Sequence, residues 1–403
     1  MIQKFITIYK RLLQNVKYDT YRYIYQNFNI QNKLTGLIGP RGTGKTTLLL
    51  QYINEKIENK DQCIYITLDH IYFANTLLSD FVNELYEVYG IKIFFFDEIH
   101  KYPNWNQELK NIYDSYPDIK IVFSGSSSLD LIKGSYDLSR RGVLYRLEGL
   151  SFREYLIFKK IANIEPIKLE TLLKEKSKYE KEINKIERIR GYFKNYLQKG
   201  YYPYIFENAS VYYEKLLSII EKIIFEDISN FYRLKTENLY YFKKILAYIS
   251  SIPPGELNYN NIAKTIGLDN KTVHTYINIL NETGLVELIR SNKTGGNLLK
   301  QKEKIYLNNI DIYGAITQEI GIQPQIGSIR EIFFIKMIKN ANNKIFYSDI
   351  GDFEVNGYYF EIGGKNKSIK QIKNHLNKSF LVKDDIMFGS KYEIPLYLFG
   401  FLY

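Results

Sequence analysis

Short apolar runs and amphipathic stretches take turns along the first third of the chain. Leu34-Thr35-Gly36-Leu37-Ile38, Gln62–Leu68, Ile91–Phe96 and Ile119–Phe123 are apolar without strict alternation, which is how strands buried on both faces of a parallel sheet read. Between them apolar residues recur at helical spacing. One helix opens at Thr46 and spans 46–58. An amphipathic helix over 74–89 places Leu77, Leu78, Phe81, Leu85 and Val88 on one side, and a further helix contains Trp105. Phe5, Tyr9, Leu12 and Leu13 give residues 1–30 a helical reading. Strands alternating with helices predict an α/β core over 1–150.

Past residue 150 the pattern changes. Residues 152–200 are helical and heavily charged, most of all from Lys174 to Arg190, and Gly200 and Pro203 break the run. This predicts a helical lid over 151–207 with a solvated charged face, then a helical connector over 208–250. Over 251–310 the spacing predicts a winged helix-turn-helix. Asn260 or Asn261 caps a short helix with Ile262, Ala263 and Ile266 inward, and Gly267-Leu268-Asp269-Asn270 makes the turn. Lys271–Asn281 is the second helix, with Val273, Tyr276, Ile277 and Leu280 on its inner face. Gly284–Ile289 and Lys304–Leu307 are strands flanking a basic wing, Arg290–Lys302. Residues 311–403 form a last α/β unit, with a helix over 328–340 carrying Glu331 and strands at 345–348, 349–355 and 358–365.

The chemistry concentrates at Gly39-Pro40-Arg41-Gly42-Thr43-Gly44-Lys45-Thr46-Thr47. It fits G-x-x-x-x-G-K-[ST] at each fixed position and lies between a predicted strand and a predicted helix. Glycines let the backbone curl until successive N–H groups face phosphate oxygens, and the helix N-terminus adds partial positive charge there. Lys45 places an ammonium on the β- and γ-phosphates, and Thr46 offers a hydroxyl to Mg²⁺. A chance glycine turn would account for the loop alone, not for its flanks. About 50 residues on, a strand ends in Asp97 and Glu98. Asp97 is placed for the Mg²⁺ shell, and Glu98 to orient and deprotonate the attacking water. ATP and Mg²⁺ are the expected ligands, and ATP hydrolysis the expected reaction. Ser124, at the end of the next strand, is placed to touch both γ-phosphate and water, whereas Ser126 to Ser128 read as N-caps. The N-terminal helix then covers the nucleotide base or one flank of the sheet.

Composition changes this picture little. A chain of 403 residues is too long for one core. No apolar run approaches the ~20 residues of a membrane span, and Lys10-Arg11 interrupts the N-terminal apolar positions before a signal-peptide core forms. Cys63 is the only cysteine and the four histidines are scattered, so a disulfide or a zinc cluster is not expected and the cytoplasm is. A net charge of +11 suits nucleic acid, but a chain crowded with Ile, Lys, Asn and Tyr carries such charge for compositional reasons. DNA contact rests instead on Lys271, Thr272, Thr275 and Asn278, on the outer face of the second helix. Arg290, Lys293, Lys300, Lys302 and Lys304 of the wing add to it, opposed only by Glu303. Many such folds pack protein against protein, so that alternative stays open.

Gly39–Thr46, Phe96-Asp97-Glu98-Ile99-His100 with Pro103-Asn104-Trp105, and Phe123-Ser124-Gly125-Ser126-Ser127 together resemble the AAA-family ATPases of bacteria and archaea. The resemblance is closest to the group whose C-terminal domain has no certain role. Ser139-Arg140-Arg141-Gly142, Leu150-Ser151-Phe152-Arg153-Glu154 and the Tyr196–Pro203 turn extend it. It implies a parallel sheet with the Ser124 strand between the P-loop strand and the Asp97 strand. It also offers Arg141, ahead of Arg140 and Arg146, as a finger reaching a γ-phosphate in a neighbouring subunit of a homo-oligomer; solvated charge explains these arginines equally well. The last unit resembles a restriction-endonuclease-like nuclease core with Asp352 and Glu361 as its acids. The lysine position of that pattern is Gly363, and Lys365 lies two residues later, so a weak or inactive nuclease is expected. The resulting expectation is an ATPase acting with DNA. A slow nucleotide-gated switch acting through protein contacts, and an ATP-coupled nuclease, are the alternatives.

Overall fold

Four apolar runs of the first third, joined by Gly142–Arg146, become the strands of one parallel sheet. In chain order its strands are β1 (Leu34–Gly39), β2 (Cys63–Thr67), β3 (Ile93–Asp97), β4 (Lys120–Ser126) and β5 (Gly142–Arg146), and their spatial order is β2-β3-β4-β1-β5. β4 lies between β1 and β3, as the resemblance implies. This computed structural model describes residues 1–16, 19–126, 141–292 and 302–403, and it divides into two units, Met1–Gly149 and Leu150–Tyr403.

Four helices complete the first unit: α1 (Ile2–Gln14), α2 (Lys45–Lys56), α3 (Leu78–Tyr89) and α4 (Trp105–Ser115). The chain leaves β1 for the far edge at β2 and then returns strand by strand to β4. Right-handed crossovers therefore put α2 on one face and α3 and α4 on the other, and α1 packs with α2 while α3 packs with α4. β1 and β4 carry fully buried apolar residues, among them Leu37, Ile121 and Val122, because helices cover both sides. The helical reading of residues 1–30 is too long: α1 stops at Gln14 and a turn over 23–27 leads to β1. The expected apolar face of 74–89 also shortens. Leu77 is the N-cap of α3 and 57% exposed, and Val88 is 70% exposed, because one helical period cannot tell where a helix leaves the core.

In the second unit the expected lid is built into a larger body. Helices α5 (Phe152–Phe158), α6 (Leu169–Ile183) and α7 (Ile189–Gln198) share a core with the segment 396–401. Ser151 caps α5 in a capping box with Glu154, and both Ser151 Oγ (2.7 Å) and Arg153 Nε (2.9 Å) donate to the Tyr403 main-chain oxygen. α8 (Tyr212–Lys222) and α9 (Thr236–Ser251) follow, then α10 (Tyr259–Ile266) and α11 (Asn270–Glu282), the hairpin β6 (Val286–Arg290) and β7 (Glu303–Leu307), and α12 (Ile310–Glu319).

The cap of α10 is Asn258, whose side chain accepts from the Asn261 N–H, not Asn260 or Asn261. Gly267 turns at φ 74° and Asp269 caps α11. Val273, Tyr276, Ile277 and Leu280 are buried, as expected. Asp311, fully buried at the start of α12, accepts from the N–H groups of Gly200 (3.3 Å) and Tyr201 (2.8 Å) and from the Tyr212 hydroxyl. The Gly-Pro break after α7 is thus held by a carboxylate more than a hundred residues away. Helix α13 (Ile326–Asn340) covers a last sheet of β8 (Ile345–Tyr347), β9 (Phe353–Val355), β10 (Tyr358–Gly363), β11 (Ser379–Lys383) and β12 (Glu393–Pro395), in the order β12-β11-β10-β9-β8. β8, β9 and β10 are antiparallel, and β10, β11 and β12 are parallel.

Candidate nucleotide site

The loop from β1 to α2 is shaped by left-handed backbone. Gly42 has φ 81° and Gly44 φ 92°, conformations that a side chain resists. Gly39 is required by close approach, since a Cβ there would lie 2.1 Å from the Leu147 carbonyl oxygen. Thr43 Oγ1 donates to the Pro40 carbonyl at 2.9 Å. Lys45 Nζ folds back to donate to the Gly39 and Pro40 carbonyls, each at 2.9 Å. Burial lowers the Lys45 pKa, and Glu98 and then Asp97 pull it back up. A buried ammonium with two carbonyl partners is under-compensated, and an anion in the loop would complete it. Thr46 and Thr47 are exposed at the first turn of α2, and Arg41 is half-buried beside them.

Asp97 ends β3 and is buried. Thr46 Oγ1 (2.6 Å) and the Tyr65 hydroxyl donate to its Oδ2, while the Ser124 hydroxyl and the Glu98 N–H (3.0 Å) donate to Oδ1. A hydroxyl beside a carboxylate is an oxygen donor pair suited to Mg²⁺. Glu98 adopts φ 52°, a left-handed strain of the kind found at working sites. Burial raises its carboxyl pKa, and the Lys45 charge opposes that rise.

Two residues that the sequence analysis passes over join this arrangement. Tyr65 stands on β2 two residues before Thr67, the register partner of Asp97, so it shares the face of Asp97; no signal in the sequence marks it. Arg22 donates to the Thr43 carbonyl and, at 2.7 Å, to the Glu148 carbonyl, clamping the loop from a segment with no motif. Ser124 is fully buried with its hydroxyl on Asp97. Ser126 is not an N-cap: it remains in β4, with Oγ 3.2 Å from His100 Nε2. Ser127, Ser128 and Arg140 lie outside the described residues.

Residues 31–156 match the AAA domain family. That stretch of the chain, which holds the P-loop, is therefore similar to an AAA domain. Residues 190–324 match a domain of unknown function (DUF8612). Two uncharacterized proteins of Methanocaldococcus jannaschii are similar. One is 29% identical over 73% of this chain and 64% of its own length, the other 25% identical over 87% and 76%; the chain thus spans just under two thirds of the first. Among solved structures, a RuvB variant of Thermotoga maritima is 17% identical over 71% of this chain and 88% of its own, with a TM-score of 0.27. AMPPCP-bound DnaA from Aquifex aeolicus is 19% identical over 68% and 86%, with a TM-score of 0.26. Scores so low add nothing to the argument from strand order and loop geometry.

Arg141 lies beside the start of β5, where Gly142 pairs with Leu34. It sits 3.6 Å from Asp114 and over the Tyr113 ring. Five residues of β1 separate that level from Gly39, about 16 Å, so Arg141 cannot reach its own loop. Arg146, level with Ile38, pairs with Glu148 at 2.5 Å.

In the second unit, Lys271 and Thr275 are exposed on α11, and Thr272 and Asn278 are half-buried. The Thr272 hydroxyl is engaged by Asp269, that of Thr275 by the Lys271 carbonyl, and Asn278 by His274. The wing is better neutralised than the sequence suggests. Lys302 meets Glu256 (2.7 Å) and Asp349 (3.7 Å), Lys304 meets Asp352 (3.9 Å), and Arg290 meets Glu303 (2.6 Å). Lys293 and Lys300 lie outside the described residues.

The expected lysine of the last sheet is corrected as well. Lys365 is exposed, whereas Lys367 Nζ lies 2.5 Å from the fully buried Glu361 carboxylate. A Cβ on Gly363 would sit 2.5 Å from the Lys367 stem, so the missing side chain makes room for the lysine. Asp352 accepts from the Ile362 N–H at 2.8 Å, and Glu331 accepts from the Tyr306 hydroxyl at 2.7 Å. Burial and then the Asp352 charge raise the pKa of both Glu331 and Glu361.

The Arg22 clamp makes a prediction. Arg22→Ala removes two charge-assisted bonds worth about 1.5–3 kcal/mol in comparable settings, so nucleotide affinity should fall at least about tenfold while the fold persists. Titration with a fluorescent ATP analogue, beside a thermal melt, checks it; unchanged affinity refutes the clamp.

Proposed function

We propose that the chain binds ATP with Mg²⁺ and hydrolyses it at Gly39–Thr47, and that this turnover serves a process involving DNA. The reading is carried by the convergence of Lys45, Thr46, Asp97 and Glu98 at one edge of the sheet. Loop N–H groups and Lys45 bind the β- and γ-phosphates. Thr46 and Asp97 are the residues to hold Mg²⁺, which supplies Lewis-acid charge at the phosphates when bound. Glu98 takes a proton from water as the water oxygen bonds to the γ-phosphorus and the bond to the ADP oxygen breaks. Ser124 and Tyr65 keep Asp97 oriented.

Lys45→Ala should abolish tight nucleotide binding. Glu98→Gln should keep binding and lose at least about 100-fold in kcat. Because burial raises the Glu98 pKa, the base form is lost as pH falls through that raised value, so the acid limb of kcat should lie above that of an exposed glutamate. Wild-type turnover in Glu98→Gln removes Glu98 from this role.

Arg141 enters this proposal only as a finger for a second copy of the chain, since its own loop lies at the other end of the sheet. Specific activity should then rise with protein concentration, and mixing Arg141→Ala with Lys45→Ala should restore part of it. Activity independent of concentration, without rescue, dismisses the finger.

The helix pair α10–α11 with its hairpin supports a winged-helix reading, and the exposed Lys271 supports DNA contact through phosphates. A second reading, phosphodiester cleavage by Asp352 and Glu361, gains support from Lys367, which supplies the amine that Gly363 lacks. Both are tested on one plasmid substrate. Binding should weaken steeply with salt and more in Lys271→Ala than in Lys181→Ala. Mg²⁺-dependent nicking lost in Lys367→Ala but not in Lys365→Ala would favour the nuclease; an intact plasmid leaves the ATPase as the function and rejects cleavage.

A further inference from the structure

His100 has no part in the reading above, although it follows Glu98 by two residues. A short turn over Ile99–Lys101 swings its ring back toward the carboxylate. Its side chain is 4% exposed, with Nε2 3.4 Å from Glu98 Oε2 and 3.2 Å from Ser126 Oγ. Burial, and then the charges of Arg41, Lys101 and Lys45, bring its pKa down to about 3, so the ring is neutral and carries one N–H. Nδ1 is buried with no hydrogen-bond partner among the described residues. The tautomer protonated at Nε2 places that N–H between the Glu98 carboxylate and Ser126 Oγ, both of which can accept.

We infer that His100 is a positioning residue: its Nε2–H holds the Glu98 carboxylate and ties it to Ser126 at the end of β4. The inference rests on the proposed ATPase reading. Glu98 is otherwise faced by Lys45 from α2, Arg41 from the loop, Asp97 from β3 and Asp69 beyond β2, yet its Oε2 is buried and makes no hydrogen bond among the described residues, with His100 Nε2 poised 3.4 Å away. Holding Oε2 leaves Oε1 to take the proton from water. Ser126 sits on the strand that also carries Ser124, whose hydroxyl is on Asp97. The orientation of Glu98 is thereby linked to the same strand end that orients Asp97.

The test is ATP turnover by the full chain. His100→Ala should lower kcat about tenfold, with KM for ATP unchanged within about twofold. The acid limb of kcat should move to higher pH, because the lost donor no longer favours the ionised carboxylate. His100→Asn, which keeps an N–H donor, should recover part of the rate, and His100→Ala should cost nothing further in a Glu98→Gln background. Wild-type kcat and acid limb in both variants, with Glu98→Gln inactive, overturns the inference and leaves the ATPase reading standing. Equal losses in both variants with a raised KM and an unshifted acid limb also overturn it, since that pattern is structural. A wild-type chain that hydrolyses no ATP defeats the ATPase reading itself, and the inference with it.

Discussion

The pairing of β1 with β4 decides what the first unit can do. The two strands are distant in sequence, and their register sets Gly39 against Ser126. β3 pairs on the other side of β4 with Phe96 against Phe123, so Asp97 ends β3 beside Ser124, two residues short of the level of Gly39 and Ser126, and three ends from widely separated segments lie close together. An open parallel sheet places its binding crevice where connections diverge, and here the chain leaves β1 in one direction and arrives at β4 from the other. Slipping β3 against β4 by one residue would turn alternate side chains of β3 to the opposite face and separate Asp97 from Thr46 and Ser124.

Electrostatics then decides how those ends behave. Asp97 is buried but receives four donors, which fill its acceptor capacity and fix its orientation. Glu98, one residue on, is raised by the same burial and is the acid left with unfilled acceptor capacity. Two adjacent carboxylates are thus driven apart in role by their partners: one is tied down, the other can exchange a proton. Lys45 stands against both and is under-solvated itself, which draws an anion into the loop.

What was legible in the sequence was whatever lies in consecutive residues. Gly39–Thr46 and Asp97-Glu98 could be read because a phosphate cradle and an acid-tipped strand are each one stretch of chain. Arg22, Tyr65 and Lys367 could not, because each meets its partner only after folding brings distant segments together. Boundaries failed for a different reason. Leu77 and Val88 fit the helical period but sit where α3 leaves the core, and Asn258, Asn260 and Asn261 all have cap chemistry, so only backbone geometry picks the first. The wing looked opposed by Glu303 alone because Glu256, Asp349 and Asp352, which face its lysines, are remote in sequence.

Gly363 shows how a spacing rule misleads when a residue is missing rather than present. On a strand, positions 361, 363 and 365 share a face, so the eye passes from the empty 363 to Lys365. The chain does not remain a strand that far: β10 ends at Gly363, and Lys367 N–H bonds the Gly364 carbonyl at 2.9 Å in a turn. The turn brings the lysine back over the glycine, whose absent Cβ is the space the stem occupies. A buried glutamate left without a cation would be costly, and Lys367 meets that need from four residues beyond Gly363. Glu361, Lys367 and the bare backbone of Gly363 therefore form one unit, in which a side chain at 363 and an amine at 367 exclude each other.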